Sequence, residues 1–274
     1  MTSYFTGHMQ KFLHNYRRNF SLVDLIVELR DARLPYTSGK VWSEKFKKDK
    51  VWVVILSKAD LAPSAEVEKW LKYFSQHSIK SKAFSKYCPD WDEVFELFRT
   101  AAGNFGSSSY SLCHFYNIKR AMVVGIPNCG KSSFINLLSR HSKAKVGKLP
   151  GMTRGPQWID TGRGIKFLDT PGVLLPRCSK ETAWKFALVG ALDLDKINSI
   201  GLIEYLSCND EISSLIGLAG MEVKDFLLYI ANKFGLVTKG GEPEIEKSAK
   251  RVIRNLVDGK YGRFILEKVN ELNV

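Results

Sequence analysis

Short apolar runs alternate with amphipathic stretches through the first part of the chain. Between the apolar runs, residues 64–77 and 90–102 carry apolar positions at a 3.6-residue period, which predicts helices. Near-continuous apolar strands separated by helices indicate an α/β fold, with a mostly parallel sheet and helices on both faces. The predicted strands are residues 22–29, 51–56, 79–84, 121–126 and 165–170.

The strand signal fades after about residue 180, and amphipathic, helix-like stretches take its place. Gly235 and Gly259 follow two of these stretches at positions expected of C-terminal helix caps. We therefore predict one domain over residues 1–180 and a small all-helical domain over 181–274. The predicted helical stretches are residues 181–192, 221–235, 243–259 and 262–272.

A glycine-rich motif, GIPNCGKS, connects the fourth predicted strand to a helical pattern. It begins at Gly125, fits G-x-x-x-x-G-K-[ST] and has the strand before it and the helix after it that a phosphate-binding loop requires. The glycines allow the backbone amides and the helix N-terminus to approach phosphates. Lys131 is expected to neutralise the β and γ phosphates, Ser132 to ligate Mg²⁺, and Ser133 to lie beside the α phosphate.

Two further motifs fit the same site. Asp169 begins Asp-Thr-Pro-Gly at the end of a predicted strand, where it would hold Mg²⁺ through water while the Gly172 amide meets the γ phosphate. Thr153, within LPGMTRG, is placed to supply a second Mg²⁺ ligand when its loop closes. Alone, Asp-x-x-Gly is also an ordinary turn sequence, and loop threonines commonly bond their own backbone.

The strand VWVVIL runs into Ser57-Lys58-Ala59-Asp60, a close variant of the Asn-Lys-x-Asp loop that reads guanine. The Asp60 carboxylate can accept two hydrogen bonds from guanine, an arrangement that adenine does not offer. Lys58 would lay its stem across the base, and Ser85 and Lys86 lie where a base-supporting loop would follow. The alternative is a strand followed by a helix-capping residue.

The guanine motif precedes the phosphate loop, whereas in the usual order it comes much later. The observed order is a cyclic rotation of the usual one, and a parallel sheet permits it because ligands bind at the strand carboxyl ends whichever strand comes first. The segment GNFGSSSYS, residues 103–111, predicts the flexible joint that such a rotation needs. The predicted nucleotide-binding residues are Ser57, Lys58, Asp60, Ser85, Lys86, Asn128, Cys129, Gly130, Lys131, Ser132, Ser133, Thr153 and Gly172.

Composition adds a strong basic excess, a formal net charge of +13 from 41 Lys and Arg against 28 Asp and Glu. Such an excess attracts nucleic acid, although a solvated basic surface without a partner is an alternative. The five cysteines are scattered and include no Cys-x-x-Cys pair, which is typical of a reducing compartment. No apolar run approaches the roughly 20 residues of a membrane span, and the N-terminus lacks an apolar signal core, so we expect a cytoplasmic protein.

Taken together, the motifs resemble the circularly permuted GTPases of ribosome assembly, specifically the bacterial YlqF/RbgA type. The resemblance rests on YFTGHM at the N-terminus, ELRDARLP, GIPNCGKSSFIN, PGMTRG, FLDTPGVLLP and the helical C-terminal part. It implies a circularly permuted P-loop GTPase domain, with GTP or GDP and magnesium as cofactors. It also implies GTP hydrolysis coupled to late assembly of the large ribosomal subunit, with rRNA and ribosomal proteins as partners.

The resemblance also suggests catalytic residues. Val173 stands where Ras-like proteins carry the glutamine that positions water, so another residue must do this. The family's N-terminal histidine corresponds to His8, which joins Lys131 as a predicted catalytic residue, although His8 could merely pack the N-terminal segment. Thr6 replaces the family proline beside it. Asn128 corresponds to the asparagine that ligates potassium in related GTPases.

One further departure from the family pattern concerns the guanine loop. Ser57 replaces the usual asparagine, so an amide that ties the guanine loop to the phosphate loop is expected to be missing, at about 1–2 kcal/mol of affinity. Two alternatives to a GTPase remain open. One is a nucleotide-gated RNA-binding module with negligible hydrolysis, and the other, if Asp60 is incidental, is a P-loop ATPase or kinase.

We expect a monomer in the bacterial cytoplasm or, alternatively, in mitochondria. The predicted RNA-binding residues are Lys247, Lys250, Arg251 and Arg254. The alternative is that these charges form a helix face that contacts only water.

Overall fold

The computed structural model describes residues 19–40, 50–103, 120–140, 157–161, 165–174 and 178–272. The chain divides into two compact units, Met1–Cys178 with Ile265–Val274 and Ser179–Phe264. Within the described ranges, no helix is both long enough and apolar enough to cross a bilayer. The predictions for Thr6, His8 and Thr153, and for the joint beyond Gly103, lie outside the described residues.

A six-stranded sheet forms the centre of the first unit, in the spatial order β3-β2-β1-β4-β6-β5. All neighbouring strands are parallel except β5, which pairs antiparallel with β6. The five predicted strands are confirmed, whereas β5 was missed because its side chains are largely exposed and form no apolar run. The strands are β1 Leu25–Asp31, β2 Val51–Ser57, β3 Lys80–Phe84, β4 Arg120–Gly125, β5 Gln157–Asp160 and β6 Lys166–Asp169.

Three helices of the first unit are described: α1 Ser64–Gln76, α2 Trp91–Gly103 and α3 Lys131–Arg140. Helix α1 buries Val67, Trp70 and Phe74, three- and four-residue spacings that place them on one face. Helices α2 and α3 meet through Trp91 and Phe134, whose ring centroids lie 5.8 Å apart. The amphipathic patterns that predicted these helices are thus confirmed.

The register of the central strands brings their carboxyl ends together. Asp31 at the end of β1 lies opposite Ser57 at the end of β2, and Leu29 lies opposite Gly125 at the end of β4. Because these strands are parallel, the loops that follow them emerge at one edge of the sheet. The motifs predicted at residues 57–60, 125–132 and 169–172 all follow strands at this edge.

The second unit is helical. Asparagine side chains cap α5 and α6, with Asn198 accepting from the Gly201 amide at 2.9 Å and Asn209 from the Ile212 amide at 2.9 Å. Helix α7 ends at Gly235 in the left-handed conformation, as predicted (φ 60°). Sequence periodicity did not single out α5 or α6. The helices are α4 Lys180–Leu188, α5 Ser199–Ser207, α6 Asp210–Ile216, α7 Val223–Phe234 and α8 Ile245–Val257.

The helix predicted over residues 262–272 is wrong. Apart from a short 3₁₀ turn, Val269–Glu271, this segment is irregular, and its residues from Ile265 onward belong to the first unit. Ile265 is buried in a cluster with Trp70 and Phe74 of α1. The apolar residues that suggested an amphipathic helix instead pack one by one onto an existing surface.

Candidate functional site

The glycine-rich loop adopts a backbone that few residue types can reach. Gly125 has φ 153°, and a Cβ there would lie 2.4 Å from the Leu29 carbonyl oxygen, so only glycine fits. Further along, Asn128 (φ 56°) and Gly130 (φ 99°) are left-handed. Left-handed residues between right-handed ones curl a loop into an anion-binding concavity. The loop therefore has the backbone that a phosphate site requires.

Lys131 begins α3 and is held inside this loop. Its ammonium group donates hydrogen bonds to the carbonyl oxygens of Ile126 (2.7 Å) and Gly125 (3.2 Å), and the side chain is buried. The positive end of the α3 dipole adds to this charge. The predicted phosphate-binding lysine thus lies at the loop, with its ammonium group bound to the loop's own carbonyl oxygens.

The Asp-Thr-Pro-Gly turn after β6 is bound directly to the glycine-rich loop. The Val173 amide donates to the Gly125 carbonyl at 3.2 Å. A Cβ on Gly172 would come within 2.4 Å of the Pro127 backbone, so glycine is required for this close approach. The Val173 side chain itself is buried in the hydrophobic core with Met122 and Val124, so it does not face the site.

Ser132 and Asp169 form a pair suited to a hard cation. The Ser132 hydroxyl donates to a carboxylate oxygen of Asp169 at 2.8 Å, and Asp169 is only 5% exposed. One hydroxyl and one carboxylate match the few protein ligands that Mg²⁺ takes when it also binds phosphates. Among the described residues, no group of three or more His, Cys, Asp or Glu forms an all-protein metal site.

Ser57 ties the guanine loop to the phosphate loop, so the expectation that this tie is missing is wrong. Its hydroxyl lies 2.6 Å from the Cys129 carbonyl oxygen and 3.1 Å from that of Arg30. Because a hydroxyl carries one proton, the shorter contact is the main donated bond. Ser57 is buried at the end of β2, close enough for a short side chain to reach the loop that follows β4.

Asp60 presents an acceptor that the described part of the protein leaves unmatched. Its Oδ1 atom is buried and has no hydrogen-bond partner among the described residues. A buried acceptor without a partner costs about 1–3 kcal/mol, a penalty that a ligand N–H can remove. Lys58 precedes it in the left-handed conformation (φ 56°), followed by the short 3₁₀ turn Ala59–Leu61.

Asp31 is a residue of this site that sequence reasoning missed. Its carboxylate is fully buried and lies 2.9 Å from the Lys58 ammonium and 2.9 Å from the Arg33 guanidinium. Burial acts to raise the pKa of Asp31, but the attraction of Lys58 and Arg33 outweighs it and lowers that pKa well below its usual range. In the sequence, ELRDARLP contributed only to the family resemblance. An acidic residue just after a predicted strand could also have indicated that Asp31 belongs to the site.

The remaining predicted nucleotide residues lie at the same edge. Ser57 pairs with Phe84 across β2 and β3, which places Ser85 beside the guanine loop. The Ser85 hydroxyl accepts from the Tyr87 amide at 3.2 Å, whereas the Lys86 ammonium lies over the Tyr87 ring. Cys129 and Ser133 lie in the phosphate loop and in α3. Burial raises the pKa of the Cys129 thiol, so it stays neutral.

The four predicted RNA-binding residues lie on α8 in the second unit. Lys247 pairs with Glu244 at 2.6 Å, and Lys250 pairs with Asp195 at 2.7 Å. The Arg251 guanidinium lies 3.9 Å from the centroid of the Phe234 ring, and Arg254 is exposed. Both lysines already have acidic partners, so this assignment stays a prediction.

Fold and site together define a P-loop GTPase with a circularly permuted order of motifs. In the chain, the guanine loop follows β2, the phosphate loop follows β4 and the Asp-x-x-Gly turn follows β6. In space, all three emerge at the same edge of one sheet, and the Ser57–Cys129 hydrogen bond joins the first two. The predicted fold class is therefore confirmed.

Comparison with known proteins gives the same result. A family model described as 50S ribosome-binding GTPase matches residues 120–216. Ribosome biogenesis GTPase A of Thermotoga maritima is 29% identical over 98% of this chain and 95% of its own length. The same-named protein of Bacillus licheniformis is 29% identical over 98% of this chain and 99% of its own. The structure of GNP-bound YlqF from T. maritima superposes with a TM-score of 0.71, at 27% identity over 94% of this chain and 98% of that chain.

These likenesses extend over nearly the whole chain, not over one motif. The recognition made from the motifs is confirmed: the chain is a homologue of the YlqF/RbgA GTPases.

Proposed function

We propose that this protein binds and hydrolyses GTP in the assembly of the large ribosomal subunit. The observation that carries the proposal is the buried Asp60 carboxylate oxygen, which has no hydrogen-bond partner in the described structure and lies at the same sheet edge as the phosphate loop. A guanine base supplies two N–H donors for such a carboxylate, and adenine does not.

The triphosphate lies along the glycine-rich loop in this proposal. The loop amides around Asn128, Cys129 and Gly130 bind the phosphate oxygens, and Lys131 neutralises the charge that develops on the γ phosphate. Ser132 and Asp169, with Thr153, would hold Mg²⁺, which supplies further charge stabilisation at the β and γ phosphates. The short Ser132–Asp169 contact supports this assignment.

The attacking water needs a residue other than Val173, whose side chain lies in the core. We assign this role to His8, because an imidazole with a near-neutral pKa can position or polarise water at physiological pH. Asn128 is the proposed ligand for a potassium ion between the phosphates. Hydrolysis is then slow in the free protein and faster when the large subunit is bound.

The proposed partner is a late precursor of the large ribosomal subunit. Relatives carry the name Ribosome biogenesis GTPase A, and the matching family is described as 50S ribosome-binding. The net charge of +13 suits contact with rRNA, which ribosomal proteins would supplement. The protein would act as a monomer that binds this particle more tightly with GTP than with GDP, in the bacterial cytoplasm or in mitochondria.

The base assignment is tested by Asp60→Asn, with Asp92→Asn at an exposed position of α2 as the control. Affinities for GTP, XTP and ATP are measured by fluorescent-nucleotide titration. We expect Asp60→Asn to lose GTP affinity and gain XTP affinity, because the amide presents a donor where the carboxylate accepted. Unchanged GTP selectivity, or ATP competing equally with GTP on the wild type, would contradict the guanine assignment.

The partner is tested by GTP hydrolysis and co-sedimentation with large subunits. We expect stimulation of hydrolysis by large subunits, greater in K⁺ than in Na⁺, and more protein in the pellet with a non-hydrolysable GTP analogue than with GDP. Nucleotide-dependent sedimentation without any hydrolysis would instead support the nucleotide-gated RNA-binding module. No effect of ribosomal particles in either assay would contradict the proposal.

A further inference from the structure

Lys58 is held in place by a partner that does not belong to the guanine motif. Its backbone is left-handed, which is costly for a residue with a Cβ, and its side chain is 27% exposed. The ammonium lies 2.9 Å from Oδ2 of the fully buried Asp31. The charged end of this long side chain is thus bound to a fully buried acid.

Asp31 is held by several hydrogen bonds to its carboxylate. Oδ1 accepts from the Arg33 amide at 3.1 Å and from Arg33 Nε at 2.9 Å, while Oδ2 accepts from the other end of the guanidinium at 2.9 Å. The Ala32 amide bonds the Ser57 carbonyl at 2.8 Å, which joins this turn to the strand that carries the guanine loop. A backbone hydrogen bond and an ion pair therefore join the turn after β1 to the guanine loop.

The C-terminal segment, residues 265–272, fastens the far side of this turn, and we call it the clasp. The Leu266 amide donates to the Arg33 carbonyl at 2.8 Å. The buried Glu267 carboxylate accepts from the amides of Tyr36 (2.9 Å) and Thr37 (3.0 Å) and from the Thr37 hydroxyl.

The clasp is itself anchored on α1. Trp70 donates its indole N–H to the Glu267 carbonyl at 2.9 Å, and Ile265 packs beside it in the same cluster. A residue more than 200 positions away in sequence therefore satisfies the amides of Tyr36 and Thr37, shortly after the turn that holds Asp31.

We propose that Asp31 is a positioning residue for guanine binding, and that Glu267 of the clasp keeps Asp31 in place from the other side. Asp31 acts through Lys58 and touches no nucleotide. Glu267 acts through the segment that follows Asp31, residues 33–37, by fastening the Tyr36 and Thr37 amides at its end. This inference rests on the proposed function, since it takes Lys58 to lie along the guanine base. It adds a determinant of nucleotide affinity at Glu267, which is distant in sequence from the nucleotide motifs.

The first test replaces the buried acid with its neutral isostere, Asp31→Asn, with Glu28→Gln as the matched control. Glu28 lies on the same strand, is equally buried and has its own partners in Arg30 and the Trp52 indole. We expect Asp31→Asn to raise the Kd for both GDP and GTP by about tenfold, since a bond between charged groups is lost at the base end. Glu28→Gln is expected to lower thermal stability but to leave both Kd values unchanged.

A double-mutant cycle separates positioning from general destabilisation. In a Lys58→Ala background, Asp31→Asn should cause no further loss of nucleotide affinity, because the group it positions is gone. An equal loss in both backgrounds, or the same loss from Glu28→Gln, would overturn the proposal. If the wild type binds no guanine nucleotide at all, the proposed function fails instead.

The second test is Glu267→Ala, with Glu271→Ala, an exposed position of the same segment, as its control. The Tyr36 and Thr37 amides lose their acceptor, so we expect a lower melting temperature and a roughly threefold to fivefold rise in nucleotide Kd. Glu271→Ala should change neither quantity. A fall in melting temperature with an unchanged Kd would show that the clasp stabilises the fold alone, and would overturn the part assigned to Glu267.

Discussion

Ser57 offers a direct measure of how far the two halves of the nucleotide site depend on each other. Replacing it with alanine removes the hydrogen bond to the Cys129 carbonyl and leaves that oxygen without this donor. A neutral hydrogen bond contributes about 0.5–1.5 kcal/mol, and an unmatched buried acceptor costs about 1–3 kcal/mol. Part of this loss appears as weaker nucleotide binding, because the nucleotide must then realign two loops that are no longer bonded to each other. We expect Ser57→Ala to raise the Kd for GDP about threefold to tenfold.

The assay is fluorescent GDP titration beside thermal unfolding, with two comparison variants. Ser139→Ala removes an equally buried hydroxyl that bonds the Ile135 carbonyl within α3, so it should leave affinity unchanged. Ser57→Asn restores the usual residue of the motif and should bind within about threefold of the wild type, since either side chain can make the tie. A Ser57→Ala protein with lower stability but wild-type affinity would refute the idea that this bond aligns the loops.

Two further predictions concern stability. Gly172→Ala places a Cβ 2.4 Å from the Pro127 backbone, so we expect a loss of about 1–3 kcal/mol in unfolding free energy and weaker nucleotide binding, measured by denaturant unfolding and titration. The pKa of Asp31 is lower in the folded than in the unfolded protein, so its stabilising effect is complete above its ordinary value of 3.8 and declines as the pH falls below it. The stability difference between wild type and Asp31→Asn should therefore shrink in acid unfolding below about pH 4, and a difference that grows there would contradict this sign.

The central sheet and the phosphate loop were predictable because their signals are local. Residues 121–126 are apolar throughout, and the glycines and lysine of the loop have fixed spacings. Strand β5 lacks such a signal, since at this edge Trp158 is 40% exposed and no apolar run marks it. Its conformation comes from pairing with β6 and not from its own composition.

Contacts between distant parts of the chain were the harder part to predict. Whether Ser57 reaches the Cys129 carbonyl depends on the spacing of β2 and the loop after β4, which no motif records. The irregular backbone over residues 262–272 depends on the amides of Tyr36 and Thr37, which Glu267 satisfies. An apolar period shows which residues are buried, but it does not distinguish a helix from a segment that docks on a preformed surface.

The contacts of the clasp also determine when, during synthesis, the nucleotide site can form. Synthesis runs from the N-terminus, so the strands, the phosphate loop and the whole helical unit leave the ribosomal tunnel before Glu267 does. A nascent chain that stops at Phe264 lacks both the Leu266 amide that bonds the Arg33 carbonyl and the Glu267 carboxylate that bonds the Tyr36 and Thr37 amides. The nucleotide site is therefore finished only after the whole helical unit has been made, and a fragment cut after Cys178 would not reproduce it.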